Sequence, residues 1–285
     1  MLEGRPSATA WRVAVRRAAH QVLDRPAVFE DPLALAMIGA DEAAKLASGL
    51  EELSPSSRSL RAFLAARSRY AEDQVAHAVR RGVRQYVVLG AGLDTFAYRN
   101  PYPDLRVFEV DHPATQEWKR RRLDTARISV PDSVAFAPVD FSRETLDVGL
   151  ARAGFALHES AFFSWLGVTP YLTRDTVLAT FQLIITLSAE NGVVFDYTLP
   201  RSALGWLDRR AFDALARRVQ SAGEPFQGFF QPDELAEELR RMGFLEIEDF
   251  DAAKINSRYF KDRADGLCVK GALGRLISAW RTSWR

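Results

Sequence analysis

The sequence predicts an α/β fold in which a mainly parallel sheet carries helices on both faces. Two observations lead to this prediction. Beyond residue 82, short apolar runs of strand length alternate with stretches in which apolar residues recur at helical spacing. The first of these runs, residues 86–89, breaks directly into Gly90-Ala91-Gly92, a turn typical of the place where a buried parallel strand leads into a ligand site.

The part of the chain before that strand is predicted to be helical. Apolar residues recur at helical spacing over residues 9–23, and Asp31 followed by Pro32 resembles the cap and first residue of a second helix. Gly82 ends a long amphipathic stretch that follows a linker-like patch, residues 54–59. The predicted helices cover residues 9–23, 32–38, a segment from 41 onward, and 59–81.

Strands and helices alternate in the rest of the chain. The predicted strands cover residues 83–89, 106–110, 134–138, 161–166, 192–197 and 245–250, with a last, antiparallel strand at 267–269. The predicted helices cover residues 114–126, 174–188, 200–223 and 232–242. The helix at 200–223 is interpreted as part of a lid. In such a sheet a ligand binds at the carboxyl ends of the strands, beside the first one.

We expect a single domain over residues 1–285, because this length suits one large α/β domain. It has four predicted parts. They are an N-terminal helical segment at 1–82, a cofactor-binding core at 83–199, a lid insertion at 200–230 and the C-terminal part of the sheet at 231–285.

The composition argues against several classes of partner. Lys and Arg number 38 against 37 Asp and Glu, so the net charge of +1 is too small to attract nucleic acid or an anionic membrane, and a small-molecule partner is expected. With Cys268 as the single cysteine and four scattered histidines, we predict no metal site. The uncharged runs are too short to span a bilayer, and the N-terminus lacks an apolar signal segment. We therefore expect a cytoplasmic protein.

The glycine turn itself departs from a dinucleotide fingerprint. A third glycine would be needed at position 95, where the sequence has Thr95, preceded by Asp94. This departure points away from NAD. An NAD-dependent oxidoreductase stays open as an alternative, as does a protein that binds a cofactor without catalysis.

Polar residues follow the next two predicted strands at the same edge. Asp111 lies 19 residues after Gly92, where a carboxylate can accept hydrogen bonds from both ribose hydroxyls of an adenosine. Asp140 and Phe141 could take the adenine amino group and pack against the base. Arg67, on the helix leading in, could clamp a carboxylate.

Together these strings resemble those of class I S-adenosylmethionine-dependent methyltransferases, in particular the leucine carboxyl methyltransferase family and its bacterial branch related to polyketide O-methyltransferases. The resemblance spans roughly residues 8–250. It is carried by Ala66-Arg67-Ser-Arg-Tyr70, Val87-Val-Leu-Gly-Ala-Gly-Leu-Asp-Thr95 with Arg99, Phe108-Glu-Val-Asp-His-Pro113, Val139-Asp-Phe141 and Tyr171-Leu-Thr173.

The resemblance implies a Rossmann-like sheet of seven strands, S-adenosylmethionine as cofactor, and methylation of an oxygen in secondary metabolism. The cofactor-binding residues that it implies are Arg67 for the methionine carboxylate, Gly90, Ala91 and Gly92 beneath the methionine and ribose, Asp111 for the ribose, and Asp140 with Phe141 for adenine. Asp94 is expected either to cap the following helix or to approach the cofactor's amino group. Relatives carry a Glu five residues before Tyr171, where this chain has Leu166.

The acceptor side is less defined by the sequence. A carboxylate acceptor is slightly favoured over a phenol or hydroxyl, and it would need no general base because it is ionised at neutral pH. Methylation of a protein carboxyl group is a further alternative, and oligomeric state is left open. Candidate catalytic residues are Tyr171, His158 (with His112 as a second histidine) and Arg201, which could pair with an acceptor carboxylate. The predicted substrate pocket comprises Trp165, Tyr171, Tyr197, Arg201, Trp206 and Phe226.

Overall fold

The computed structural model describes residues 7–48, 55–141, 143–187, 190–221 and 223–281, without the side chains of residues 55 and 56. Four helices precede the sheet: α1 (Ala8–Leu23), α2 (Ala34–Ile38), α3 (Ala40–Ala47) and α4 (Pro55–Arg80). The side chain of Ser7 caps α1 by accepting from the Ala10 N–H. Residues 55–59 are helical, so the predicted linker there is wrong. A proline is favourable in a first helical turn, and α4 simply begins earlier. Residue 54 lies outside the described residues.

Seven strands are present in the described part of the chain, in the order β3-β2-β1-β4-β5-β7-β6. They are β1 (Gln85–Leu89), β2 (Arg106–Asp111), β3 (Val134–Pro138), β4 (Ala161–Trp165), β5 (Asn191–Thr198), β6 (Glu246–Phe250) and β7 (Gly274–Trp280). The first five pair in parallel, and β7 runs antiparallel between β5 and β6. The prediction of a mainly parallel, seven-stranded sheet is confirmed.

Helices cover both faces of this sheet. The later helices are α5 (Pro113–Thr125), α6 (Leu146–Arg152), α7 (Arg174–Leu187), α8 (Trp206–Ser221), α9 (Pro232–Met242) and α10 (Ala252–Tyr259). Apolar residues of α6, α7 and α9 pack on one face, and those of α4 and α10 on the other. The helix predicted at 200–223 is shorter, because a 3-10 turn at Arg201–Ala203 precedes α8. None of these helices within the described ranges is long and apolar enough to cross a bilayer.

The last strand lies elsewhere than predicted. Residues 267–269 are not a strand, because the side chain of Asn256 donates to the carbonyl of Val269 and accepts from its N–H. These bonds replace a strand ladder there. The strand is β7, whose last five residues are buried between two neighbouring strands.

The topology places a ligand site beside β1. This strand has β2 on one side and β4 on the other, so the strand order reverses direction at β1. Crossovers on the two sides then leave the sheet in opposite directions, and a crevice forms outside the carboxyl ends of the strands. The glycine turn after β1 lies at this crevice.

Candidate active site

A cavity of about 320 Å³ lies at the carboxyl ends of β1 and β4. This volume falls within the range of small-molecule sites. Its walls come from the glycine turn, from α1 and α4, from the segment after β4, and from residues 223–227. Six of the eight predicted cofactor residues line it: Arg67, Gly90, Ala91, Gly92, Asp94 and Asp111.

The glycine turn brings bare backbone to the cavity. Gly90 and Gly92 both have positive φ, +67° and +47°, a conformation that costs little only for glycine. A Cβ added to Gly90 would lie 2.4 Å from the Cγ2 of Val168. The turn is held to β2, because Gly90 and Ala91 both donate to the carbonyl of Val110.

Asp111 at the end of β2 is tied to the same turn. Its Oδ2 accepts from the Gly92 N–H at 2.6 Å, and its Oδ1 accepts from the His112 N–H at 2.7 Å. Burial raises the pKa of Asp111, and its bonds to the two N–H groups only partly offset this. Each carboxylate oxygen keeps a lone pair, so Asp111 can accept further bonds from ligand hydroxyls.

Arg67 is a buried cation with unused donor capacity. Its side chain comes from α4 and is only 6% exposed, and its Nη1 donates to Asp196 Oδ2 at 2.9 Å. The Arg67 Nε is buried and has no hydrogen-bond partner in the described residues. A buried N–H left unpaired costs about 1–3 kcal/mol. A ligand carboxylate would satisfy it, so the residues present fit such a group.

Asp196 and Gly167 hold this guanidinium in place. Asp196 Oδ1 accepts from the Gly167 N–H at 2.5 Å while Oδ2 binds Arg67. Gly167 has φ of +71°, and a Cβ there would lie 2.8 Å from Arg67 Nη1. The planar group therefore packs directly over a residue without a side chain.

Asp94 caps the segment that follows it. Its Oδ1 accepts from the Phe96 N–H at 2.8 Å, at the start of a 3-10 turn, Phe96–Tyr98. Its Oδ2 lies 3.3 Å from the Nη1 of Arg17 on α1. Burial would raise the pKa of Asp94, but Arg17 and neighbouring cations outweigh burial and lower it. The capping alternative is thus observed, and an approach to a cofactor amino group stays a prediction.

Arg17 was not predicted from the sequence, yet it joins α1 to the glycine turn. Its Nη2 donates to the Leu93 carbonyl at 2.5 Å, and its Nε lies 2.9 Å from Asp31 Oδ2. It lines the cavity and is buried. The sequence carries no signal that separates Arg17 from the other arginines of α1.

Asp140 and Phe141 lie outside the cavity lining. The carbonyl of Asp140 accepts from the N–H groups of Arg143 and Glu144 in a turn after β3, and its Oδ2 lies 3.4 Å from Arg143 Nε. Phe141 is 62% exposed. Both follow β3 at the correct edge of the sheet, and their contact with adenine stays a prediction.

Of the predicted substrate pocket, only Tyr171 lines the cavity. Trp165 packs against Phe181 in the core, with ring centroids 5.6 Å apart. Tyr197 is buried, and its hydroxyl donates to Asp249 at 2.8 Å. Because both side chains fill space inside the sheet layers, the prediction that they contact the acceptor is not supported. Phe226 stacks beside Tyr171, centroid to centroid 5.3 Å, just behind the cavity wall.

Three further candidates lie away from the cavity. Arg201 is exposed and pairs with Asp213, Nε to Oδ1 2.8 Å, so it is not available to an acceptor carboxylate in the cavity. Trp206 is 65% exposed, and α8 does not line the cavity. His158 is exposed before β4, at the opposite edge of the sheet, which rules out its predicted role as a base. His112 caps α5, with its Nδ1 accepting from the Ala114 N–H at 3.2 Å.

Two residues of the cavity wall, Thr9 and Glu224, were not predicted from the sequence. Thr9 on α1 donates from its Oγ1 to Glu224 Oε2. Burial raises the pKa of Tyr171, which lines the same cavity, to about 12. Leu166 also lines this cavity with an apolar side chain.

The chain is similar in sequence to known proteins. The family model for leucine carboxyl methyltransferase matches residues 10–185. YktD of Bacillus subtilis, assigned provisionally as an S-adenosyl-L-methionine-dependent methyltransferase, is 30% identical over 293 residues, covering 94% of this chain and 95% of that protein. A similarly assigned protein of Mycobacteroides abscessus is 31% identical over 229 residues, covering 79% of this chain and 73% of its own.

Solved structures share the fold. A methyltransferase of provisional assignment from Thermobifida fusca superposes with a TM-score of 0.59 at 18% identity, covering 99% of this chain and 97% of that one. A DUF574 family protein from Streptomyces avermitilis has a TM-score of 0.57 at 16% identity, with 94% and 97% covered.

Proposed function

Since the chain belongs to the leucine carboxyl methyltransferase family and is an S-adenosylmethionine-dependent methyltransferase, we propose that it methylates an oxygen atom of a small molecule. The observation that carries this proposal is the cavity, whose lining combines a buried arginine with an unpaired Nε–H, the glycine turn and the carboxylate of Asp111. The near-neutral net charge of the chain supports a small acceptor rather than a nucleic acid. With a single, free cysteine, the cytoplasm is the compartment we propose.

We assign the cofactor-binding roles as follows. Arg67 binds the methionine carboxylate through its unpaired Nε, because Asp196 already occupies Nη1. Gly90 and Gly92 let the backbone approach the methionine and ribose, and Asp111 accepts from the ribose hydroxyls. Asp140 and Phe141 hold adenine from the rim. When bound, the cofactor supplies a methyl group on a positively charged sulfur.

The observations that bear on the class of acceptor point in different directions. The family description favours a carboxylate, as the sequence did. Arg201, the residue expected to pair with that carboxylate, instead binds Asp213 at the surface. A protein carboxyl acceptor would need a docking face, and neither the sequence nor the described cavity walls point to one.

A comparison of two arginines tests the proposal. We expect the Arg67→Met variant to bind S-adenosylhomocysteine, the demethylated product, about 10-fold to 140-fold more weakly than wild type, because a charged hydrogen bond is worth roughly 1.5–3 kcal/mol. The Arg69→Met variant is the matched control. Arg69 lies on the same helix, is about half exposed and pairs with Asp73, so its loss should leave affinity unchanged. Isothermal titration calorimetry measures both.

Lack of S-adenosylhomocysteine binding by the wild-type protein would refute the proposed function. Equal affinities of the two arginine variants would refute only the role of Arg67. Hydride transfer to NAD from any alcohol tested in parallel would instead revive the oxidoreductase alternative.

A further inference from the structure

We propose that Ser164 is a further cofactor-binding residue, whose hydroxyl donates a hydrogen bond to the methionine carboxylate beside Arg67, and that Tyr86 is its positioning residue. The site thereby selects adenosyl compounds that carry a free carboxylate on their amino-acid end. This inference rests on the proposed function and deepens it, because it names a group by which the cavity recognises its cofactor.

Ser164 is a buried hydroxyl in the cavity wall. It lies on β4, is 1% exposed and lines the cavity. The Tyr86 hydroxyl on β1 donates to Ser164 Oγ at 2.7 Å. The two hydroxyls have two protons, and their mutual bond uses one of them. Within the described residues no acceptor takes the Ser164 proton. Because a buried donor without an acceptor is unfavourable, a ligand atom in the cavity would stabilise this arrangement.

The sheet register places Ser164 close to the residues that hold Arg67. Ser164 pairs with Val194 of β5, and Asp196, which accepts from Arg67 Nη1, lies two residues further along that strand. Side chains alternate along a strand, so Ser164 and Asp196 share a face of the sheet. The spacing of neighbouring strands and the rise per residue put their Cα atoms about 8 Å apart. Apolar residues of α4, the helix that carries Arg67, pack on the same face.

A carboxylate is the cofactor group that suits this pair of donors. Arg67 supplies a positive charge and a buried Nε–H without a partner in the described residues, and Ser164 supplies a neutral donor. A carboxylate has two oxygens, so it can accept from both donors at once. The ammonium group and the positively charged sulfur of the cofactor offer no acceptor. The ribose hydroxyls are assigned to Asp111.

Tyr86 fixes the place of the Ser164 hydroxyl. The Tyr86 ring is buried, with its centroid 5.2 Å from that of Phe96 and 6.1 Å from that of Phe162. A serine that accepts from Tyr86 keeps its own proton for a second partner, and two such bonds in series strengthen each other. Tyr86 is not among the described residues that line the cavity, so it acts through Ser164.

Two ligands that differ at the amino-acid end test the contact. S-adenosylhomocysteine carries the carboxylate, whereas methylthioadenosine keeps the adenosine and the thioether and lacks the amino acid. We expect Ser164→Ala to bind S-adenosylhomocysteine at least about tenfold more weakly than wild type, because it loses a hydrogen bond to a charged group. It should bind methylthioadenosine with wild-type affinity, which also shows that the variant is folded. Isothermal titration calorimetry measures both affinities.

Ser278→Ala is the matched control. Ser278 on β7 is 4% exposed and accepts from a tyrosine hydroxyl, that of Tyr70, at 2.9 Å. It is not among the described residues that line the cavity. This variant loses the same kind of buried bond as Ser164→Ala, and we expect both affinities to stay at the wild-type level. Equal weakening in the two alanine variants would mean that a buried bond between tyrosine and serine, and not contact with the ligand, explains the loss.

A double-mutant cycle tests the role of Tyr86. We expect Tyr86→Phe to weaken S-adenosylhomocysteine binding about threefold in the wild-type background and to change nothing in the Ser164→Ala background, because Tyr86 acts through Ser164. A merely structural role of Tyr86 would cost the same affinity in both backgrounds. This cycle requires S-adenosylhomocysteine alone.

The outcomes separate this inference from the proposed function. If the wild-type protein does not bind S-adenosylhomocysteine, the proposed function fails, and this inference with it. If the wild-type protein binds it and Ser164→Ala keeps the wild-type affinity, the inference is overturned and the proposed function stands. The same conclusion follows if Ser164→Ala weakens the binding of S-adenosylhomocysteine and of methylthioadenosine by the same factor.

Discussion

The two sides of the cavity are built in different ways. The glycine-turn side comes from the ends of β1 and β2, which neighbour each other in the sheet, and N–H groups of the turn donate hydrogen bonds to Asp111 and to the carbonyl of Val110. A second side is assembled from Thr9, Tyr171 and Glu224, of which the first and last are 215 residues apart. Sheet hydrogen bonding determines the first side, whereas packing of separate segments determines the second. Substitutions should affect them unequally.

The largest effect is expected on the sheet side. Gly92→Val places a branched side chain at φ of +47°, with its Cβ 3.2 Å from that of Ala10, inside the cofactor part of the cavity. We expect no measurable S-adenosylhomocysteine binding, a loss of more than about 100-fold. Gly82→Val is the control, because Gly82 also has positive φ but nothing within 4 Å of its Cβ. Calorimetry on folded variants compares them, and retained affinity in Gly92→Val would disprove the proposed geometry.

A smaller effect is expected where α4 meets the sheet. Gly167→Ala puts a Cβ 2.8 Å from Arg67 Nη1 and must move the guanidinium from Asp196. We expect about tenfold weaker binding of S-adenosylhomocysteine, a cost of about 1.4 kcal/mol. Gly266→Ala, with a similar φ of +65° and open space around it, carries the same backbone strain without the clash. If both variants lost affinity equally, strain alone would explain the result.

The smallest effect on cofactor affinity is expected at the junction of the two sides. Arg17→Met removes the bonds from α1 to Leu93 and Asp94 and leaves the Asp94 carboxylate without its nearest cation. We expect about threefold weaker S-adenosylhomocysteine binding, together with a lower Tm, because Asp31 also loses a partner in the buried region. Arg16→Met on the same helix is the comparison. An Arg17→Met loss larger than that of Gly167→Ala would mean that α1 contributes directly to cofactor binding.

Most of the sheet could be predicted from the sequence because most of its strands are local apolar runs. The exception was β7, because the last strand was predicted at the short apolar run 267–269 instead. There the side chain of Asn256 binds the backbone N–H and carbonyl of Val269. Helices α6 and α10 were also missed, since α6 is a single short stretch with little periodicity and α10 follows β6 without a separating loop.

The site residues also divide into those that local sequence predicts and those that it does not. Six of the residues predicted to bind the cofactor line the cavity, because they end strands, lie in or beside the glycine turn or belong to a string that resembles the family's. Most of the acceptor residues were predicted from residue type, and Trp165, Tyr197, Arg201 and Trp206 proved to lie in the core or at the surface. Aromatic and arginine side chains suit many environments, so type alone does not place them.

By itself the sequence determined the α/β class, the edge of the sheet that carries the site, and the cofactor, because strand ends and tight turns are encoded over a few adjacent residues. Only the tertiary structure decided which charged side chains line the cavity. Arg201 pairs with Asp213 at the surface and does not line the cavity. Glu224 accepts a hydrogen bond from Thr9, which lies 215 residues earlier in the sequence. Such pairings depend on how distant segments pack, and no local pattern of residues specifies that.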